Sequence, residues 1–315
     1  MVPNTRALLF FIAVCLPAQT NFLSGLPVAD AHNCYPYQGR WSNRLDRALS
    51  FGFPVAIEQD LAWYVDHIVV SHTPQPTGAE PTLRQHFFER VRPIVEKALR
   101  ENKRDTWPII VVHFDFKDNQ PALLHAVWEL LGEYQSWITT APKGADPRVL
   151  AAFDPKPLLV LTEDSDAQEA VFFNEVPVGA RLRVFGSAHT APVKDDHLLA
   201  TIPPERLLTA PPTNYRRWWN NSWYVVEEGG ASRAGDWTPT DQDRLRALVD
   251  YAHKLGYWIR FYTLDGFTAA EDQGWGASYN FGSLSAVRLR WQAARDARVN
   301  LIATDQYEQL GAVMK

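Results

Sequence analysis

Short apolar segments alternate with longer amphipathic ones along almost the whole chain, and that alternation leaves few folds open. The apolar segments are Pro27–His32, Pro54–Asp60, Ile109–Asp115, Pro157–Leu161, Arg181–Phe185, Tyr257–Thr263 and Val299–Ala303. Each has the length and flanking residues of a buried strand. Between them lie helical stretches at Asn43–Ser50, Thr82–Glu101, Pro121–Trp137, Ala167–Asn174, Asp241–Leu255 and Ser283–Arg298. In Asp241–Leu255, the residues Leu245, Leu248, Val249 and His253 fall on one face, with Thr240 as N-cap and Gly256 as the stop. Strand–helix alternation of this kind builds a parallel sheet. Seven strands are readable, and an eighth is expected between Asp195 and Val226, at Glu205–Ala210 or Trp223–Val226. A single eight-stranded (β/α) barrel of the TIM type is the economical solution; an open doubly wound sheet is the alternative.

Nothing between residues 27 and 315 divides the chain: no repeat, linker or low-complexity segment interrupts it. With 46% hydrophobic residues it can bury one large core, so a single domain is expected. The net charge of -5 speaks against a nucleic-acid partner. The stretch "NYRRWWNNSWY", Asn214–Tyr224, sets Arg beside Trp as a base-stacking surface would. No second basic cluster supports that use, so its aromatics are read as filling the barrel's upper rim. "NNS" at Asn220 also matches the acceptor pattern for N-glycosylation.

The first 18 residues read as a secretory signal. Arg6 is the positive start, Ala7–Leu16 an apolar run too short for a membrane span, and Ala18 a small residue for cleavage. The expectation is an exported protein, periplasmic or secreted, with no stable membrane span once the signal is removed. Cys34 is then the one cysteine left, so an internal disulfide is ruled out.

Chemistry in such barrels gathers at the C-terminal ends of the strands. Those ends supply His32, Glu58, Asp60, Asp115, Lys117, Glu163, Ser187, Tyr262, Asp265, Thr304 and Asp305. In "IEQDL", Glu58 and Asp60 are two apart and point to the same side of a strand. In "VVHFDFKD", His113, Asp115 and Lys117 share one face. Carboxylates in an apolar strand are costly unless a positive charge joins them. Glu58, Asp60 and Asp115 at one mouth repel each other, and a divalent cation relieves that repulsion. All-oxygen donors favour Mg²⁺ or Ca²⁺ over zinc. A cation beside Lys117 suits a phosphate group. His32 and His72 supply an acid and a base for work at a phosphodiester, their order unassigned. His67 and His113 lie near enough in sequence to replace His72 in that role.

In this order, His32, then Glu58-x-Asp60, then His72, then Asp115-x-Lys117, the chain resembles the phosphatidylinositol-phospholipase-C-like phosphodiesterase superfamily. Within it, the glycerophosphodiester phosphodiesterases and sphingomyelinase D-type enzymes are the nearest pattern. "AHNCYP" and "SHTP" are most similar to a branch that includes fungal proteins named for altered inheritance of mitochondria. The late "IRFYTLDG" and "LIATDQ" look like that superfamily's last two strands. The resemblance implies a metal-dependent phosphodiesterase with a glycerophosphodiester or lipid-headgroup substrate. Either a substrate hydroxyl attacks, giving a cyclic phosphate, or water does. It further implies that Lys117 and Asn33 contact the phosphate and that Tyr262 walls the substrate pocket. Asn33 stands where many glycerophosphodiesterases carry arginine, and Tyr262 where the superfamily often has Trp. Glu163 and His113 are further candidates for the site; Glu163 equally suits the cap of the following helix. Two rivals remain open from the residues alone. One is a glycosidase using Glu58 with a second carboxylate; the other is a non-catalytic barrel that binds phosphoesters or sugars.

Overall fold

The computed structural model describes residues 27–271 and 276–315. Eight parallel strands form its centre: β1 Val28–Ala31, β2 Val55–Tyr64, β3 Ile110–Phe116, β4 Leu158–Thr162, β5 Phe185–Ser187, β6 Arg216–Ser222, β7 Trp258–Tyr262 and β8 Leu301–Thr304. Each pairs with the next. β1 pairs with β8 on one side, Val28 opposite Leu301, and with β2 on the other, Ala31 opposite Ile57. The sheet therefore closes, and the open alternative is excluded. Strands buried on both faces need no polar alternation, which is why β3 and β4 begin as near-continuous runs of Ile, Val and Leu.

Helices α1 Arg44–Leu49, α2 Glu89–Glu101, α3 Pro121–Glu133, α4 Asp166–Glu169, α5 Pro204–Leu207, α6 Pro239–Leu255, α7 Leu284–Asp296 and α8 Tyr307–Met314 lie along the chain between and after these strands. α6 shows how they attach. Leu245, Leu248, Val249 and Ala252 are buried in one cluster with Trp219 of β6 and Phe261 of β7. Ala252, not His253, completes that stripe, because His253 turns outward to Asn300. The cap also differs from expectation. Thr238 accepts from the Asp241 amide and Asp241 reaches back, a reciprocal box two residues ahead of Thr240, while Gly256 ends the helix in the left-handed region at φ 98°. No helix among the described residues is long and apolar enough to cross a membrane. The predicted signal, residues 1–18, lies outside the described residues.

Two strands sit elsewhere than the sequence pattern places them. β5 starts at Phe185, while Arg181–Leu182 pairs antiparallel with Ala141–Pro142 in a separate small ribbon. The eighth strand is neither candidate: Glu205 lies in α5, Trp223–Val225 is a turn of 3₁₀ helix, and the strand is Arg216–Ser222. Its buried charges hid it. Arg216 is neutralised by Asp164 and Glu169, and Arg217 binds the carbonyl of Ala151.

One extension of the barrel matters for the site. β2 continues past the mouth into a hairpin with His67–Val70, Leu61 opposite Val70. The returning chain bonds Ser71 N to Asp60 O at 3.0 Å and so delivers His72 beside Asp60. On the other flank, the loop after β1 is pinned from below by His86, whose Nε2 is 3.3 Å from the Cys34 carbonyl.

Two predictions follow from this packing. A Cβ on Gly186 of β5 would lie 2.4 Å from the buried Tyr215 ring, so Gly186→Ala should lower stability by about 1–3 kcal/mol in urea unfolding. Burial depresses His86 to about 4, against the Cys34 carbonyl, which favours its proton. Its contribution is complete above pH 6.5 and is lost as the pH falls toward 4. His86→Gln should therefore flatten the acid limb of stability against pH by about 3 kcal/mol.

Candidate active site

The mouth of the barrel holds a cavity of about 100 Å³ lined by His32, Asn33, Glu58, His72, His113, Asp115, Lys117, Glu163, Asn220, Arg260, Tyr262 and Tyr279. Of the residues singled out from sequence, Asp60 lies directly beneath the wall, and Ser187, Asp265, Thr304, Asp305 and His67 are also off it. Strand register makes the meeting. Glu58 is opposite His113 and Asp60 opposite Asp115 across β2 and β3.

Beneath the mouth, three charges form a buried line. Arg260 of β7 donates Nε to Asp30 Oδ2 at 2.5 Å and Nη2 to Glu58 Oε2 at 2.5 Å, and its Nη1 reaches Asn220 Oδ1 at 3.0 Å. Burial opposes its charge, but Asp30 and Glu58 hold it protonated. Glu58 is itself buried, yet His32 and Arg260 keep its carboxyl well below the usual range. The positive group that the carboxylates in β2 require is thus supplied by the protein for Glu58.

Asp60 has a second cation. Its Oδ2 accepts from Tyr35 Oη at 2.6 Å, His72 Nδ1 at 2.8 Å and Lys117 Nζ at 2.7 Å, while Lys117 also holds Asp115 Oδ2 at 2.8 Å. Burial lowers the affinity of Lys117 for its proton, but the two aspartates outweigh it and the ammonium stays charged. Burial and the charge of Asp115 still push Asp60 upward, against His72 and Lys117. Asp60 Oδ1 is buried without a partner.

His32 is held from behind. Its Nδ1 lies 2.8 Å from Asp305 Oδ1, Asn33 Nδ2 donates to the same oxygen at 3.0 Å, and Arg44 Nη2 takes the other at 2.7 Å. With Nδ1 donating to Asp305, Nε2 is the nitrogen turned to the cavity, 3.5 Å from Glu58 Oε1. Burial disfavours the imidazolium, but Glu58 and Asp305 overcome it and raise His32 to about 9. Tyr262 and Tyr279 stack on its ring, centroids 6.1 and 5.6 Å away. Asn33 adopts a left-handed φ of 50°, which turns its side chain in toward Asp305. His113 bridges Glu163 at Nε2 and Glu58 at Nδ1, 3.3 Å from the latter, and these acids raise it to about 9 against burial. Glu163 therefore faces the site and does not cap the next helix; Ser165 does that. His67 is outside it, paired with Asp66 on the hairpin tip.

Glu58, Asp60 and Asp115 each offer an oxygen within 4.8 Å of the others. An all-carboxylate set suits a hard cation, and Asp60 keeps one oxygen, Oδ1, without a hydrogen-bond partner. Residues absent from the sequence reading complete the site: Arg260, Asp30, Tyr35, Tyr279, Arg44, and Asn220, whose amide serves Arg260 and Glu163 inside the barrel. The acceptor pattern at Asn220 lies on β6, with the Asn220 side chain half-buried and on the cavity wall.

No family model and no curated protein matches this sequence. Among solved structures it is similar to a glycerophosphoryl diester phosphodiesterase from Parabacteroides distasonis, 12% identical over 92% of this chain and 86% of that one, TM-score 0.42. It is also similar to HPPK-DHPS of Plasmodium falciparum, with 11% identity and TM-score 0.45 over 93% of this chain. That match takes in 47% of the Plasmodium chain, about half its length. Likeness at this level assigns no chemistry.

The Asp30–Arg260–Glu58 line sets a direct expectation. Removing one partner of a buried pair strands the other's charge. Arg260→Ala should cost about 3–5 kcal/mol in urea unfolding. Glu58→Gln should cost less, because Asp30 still neutralises Arg260.

Proposed function

We propose that this chain is a divalent-cation-dependent phosphodiesterase acting on a glycerophosphodiester or a phospholipid headgroup. The observation that carries this is the convergence of the Glu58, Asp60 and Asp115 oxygens within 4.8 Å, beside an imidazole whose inward nitrogen is fixed by a carboxylate. A bound Mg²⁺ or Ca²⁺ would supply Lewis-acid polarisation of a phosphoryl oxygen.

The protein's own groups do the rest. Lys117 sets a fixed positive charge at the cavity wall, where a phosphate bears its negative charge. Asn33 and Tyr262 line the same wall and orient the ester. His32 is protonated at neutral pH and presents Nε2, the form required to protonate a leaving alkoxide. His72 lines the cavity with Nδ1 2.8 Å from Asp60 Oδ2, and takes the proton of the attacking hydroxyl or water. His32 is therefore the acid and His72 the base. His113 lies between Glu163, at Nε2, and Glu58, 3.3 Å from Nδ1, and orients those acids.

Glu58, held ionised by Arg260 and His32, is closed to the proton-donor role of a glycosidase, and only the role of its ionised carboxylate would be open to it. Export of the protein remains part of the proposal, resting on the sequence of residues 1–18.

The test is turnover of bis(p-nitrophenyl) phosphate and glycerophosphodiesters. Activity should vanish in EDTA, return with Mg²⁺ or Ca²⁺, and fall at least about a hundredfold in His32→Ala. Turnover indifferent to chelation would overturn the cation requirement. Tight phosphodiester binding without turnover under either metal would favour a binding barrel.

A further inference from the structure

The cavity at the barrel mouth is small for a diester. At about 100 Å³ it falls below the roughly 300 Å³ from which ligand pockets usually start, so it holds a phosphoryl group but not both alcohols joined to it. Beside it, at the ends of β6 and β7, lies a groove of about 520 Å³. Tyr262 and Tyr279 belong to both walls, so the two spaces meet across that pair of rings. The same two rings stack on His32, whereas His72 reaches the cavity from the β2 hairpin.

The groove is built for hydroxyl groups. Its wall carries no aliphatic side chain among the described residues. The hydroxyls of Ser222, Tyr224, Tyr262, Ser278 and Tyr279 make no hydrogen bond to any other described residue. Thr263 differs: its Oγ1 accepts from the Trp223 amide at 3.0 Å and donates to the Tyr262 carbonyl at 2.5 Å. His197 packs against Tyr224, centroids 5.5 Å apart, with its Nδ1 buried and unpartnered. Lys194 adds a charged donor, and Asp195 and Asp196 add acceptors.

A hydroxyl both donates and accepts, so a wall of unengaged hydroxyls matches a ligand that bears hydroxyls itself. An acyl chain would cover these groups and leave them unpaired. A quaternary ammonium group would gain from the ring faces but would meet the like charge of Lys194. A sugar ring meets neither penalty: its hydroxyls pair with the wall and its C–H face packs on tyrosine.

We propose that this groove is the subsite for the leaving alcohol, and that this alcohol is a hexose-sized polyhydroxy ring. The inference rests on the phosphodiesterase reading with His32 as the acid. In a phosphoryl displacement the attacking and leaving oxygens lie in line on opposite sides of phosphorus. The leaving oxygen is on the side of His32, where the paired tyrosines open into the groove. As the attacking oxygen bonds to phosphorus and yields its proton to His72, the bond from phosphorus to the sugar oxygen breaks. That oxygen takes the proton of His32, and the free sugar leaves from the groove.

The test uses three diesters of glycerol 3-phosphate that differ in the second alcohol: glucose joined through its 6-hydroxyl, cyclohexylmethanol and choline. Cyclohexylmethanol keeps the ring and lacks the ring hydroxyls. With Mg²⁺, wild type should show a kcat/KM at least about tenfold higher for the glucose ester than for either of the others, with free glucose as a product. Ser278→Ala and Lys194→Ala should each lower the ratio of glucose ester to cyclohexylmethyl ester by about fivefold to tenfold. Equal rates on the three esters, or a preference for choline or for the bare ring, would overturn the proposal. So would ratios unmoved in both variants. Affinity of the three esters for His72→Ala protein with Mg²⁺, measured by calorimetry, reads the groove without turnover and should rank glucose first. A wild type inactive on all three would sink the phosphodiesterase reading and the leaving-group role with it, while that ranking still decides whether the groove recognises a polyhydroxy ring.

Discussion

Everything at the mouth of this barrel depends on one buried guanidinium. Arg260 lies at the level where β1, β2, β6 and β7 face the axis, and its three bonds reach Asp30, Glu58 and Asn220, one on each of the other three. A charge buried there is tolerable because it is answered on both sides within 2.5 Å. Once Glu58 is anchored that way, its other oxygen is free to face His32 and the cavity. The anchor therefore does two things at once: it joins strands across the barrel, and it keeps a carboxylate ionised at the place where a cation would be held.

Above that anchor the site is layered by charge. Lys117 sits between Asp60 and Asp115 and neutralises a pair that would otherwise repel across the β2–β3 register. His32 and His113 each rest between two acids and are raised to the same extent. The histidines differ in how Nδ1 is held: His32 Nδ1 lies 2.8 Å from Asp305, whereas His113 Nδ1 is 3.3 Å from Glu58 and makes no hydrogen bond.

Most of the barrel was legible because its strands are apolar on both faces and its helices carry clear stripes. The failures share a cause. β6 was hidden because "RRWWNNS" carries two arginines and three polar residues, and only the folded protein supplies Asp164, Glu169 and the Ala151 carbonyl that make them tolerable. Arg260 is a lone charge inside the apolar run "YWIRFY", the same signal as Glu58, but it sits mid-strand, away from the ends where barrel chemistry gathers. Glu58, Asp60, His32, Asp115 and Lys117 were legible from spacing and alternation alone. Tyr35, Tyr279 and Arg44 come from loops and from a helix of six residues, where no periodicity says which way a side chain turns. α8, only eight residues long, likewise falls below what spacing can reveal.

The two histidines assigned to proton transfer are mounted on different parts of the architecture. His32 is carried at the end of a barrel strand and braced by the first and last strands together, so it is as fixed as the closure of the sheet. His72 follows a hairpin that extends beyond the barrel and meets the site through Asp60, Tyr35 and Tyr37. Changes in length or sequence at the hairpin tip can therefore re-aim one proton-transfer group while the other stays put. On the proposed phosphodiesterase reading, a lineage built on this plan varies the alcohol it accommodates by editing an appendage and leaves the barrel frame untouched.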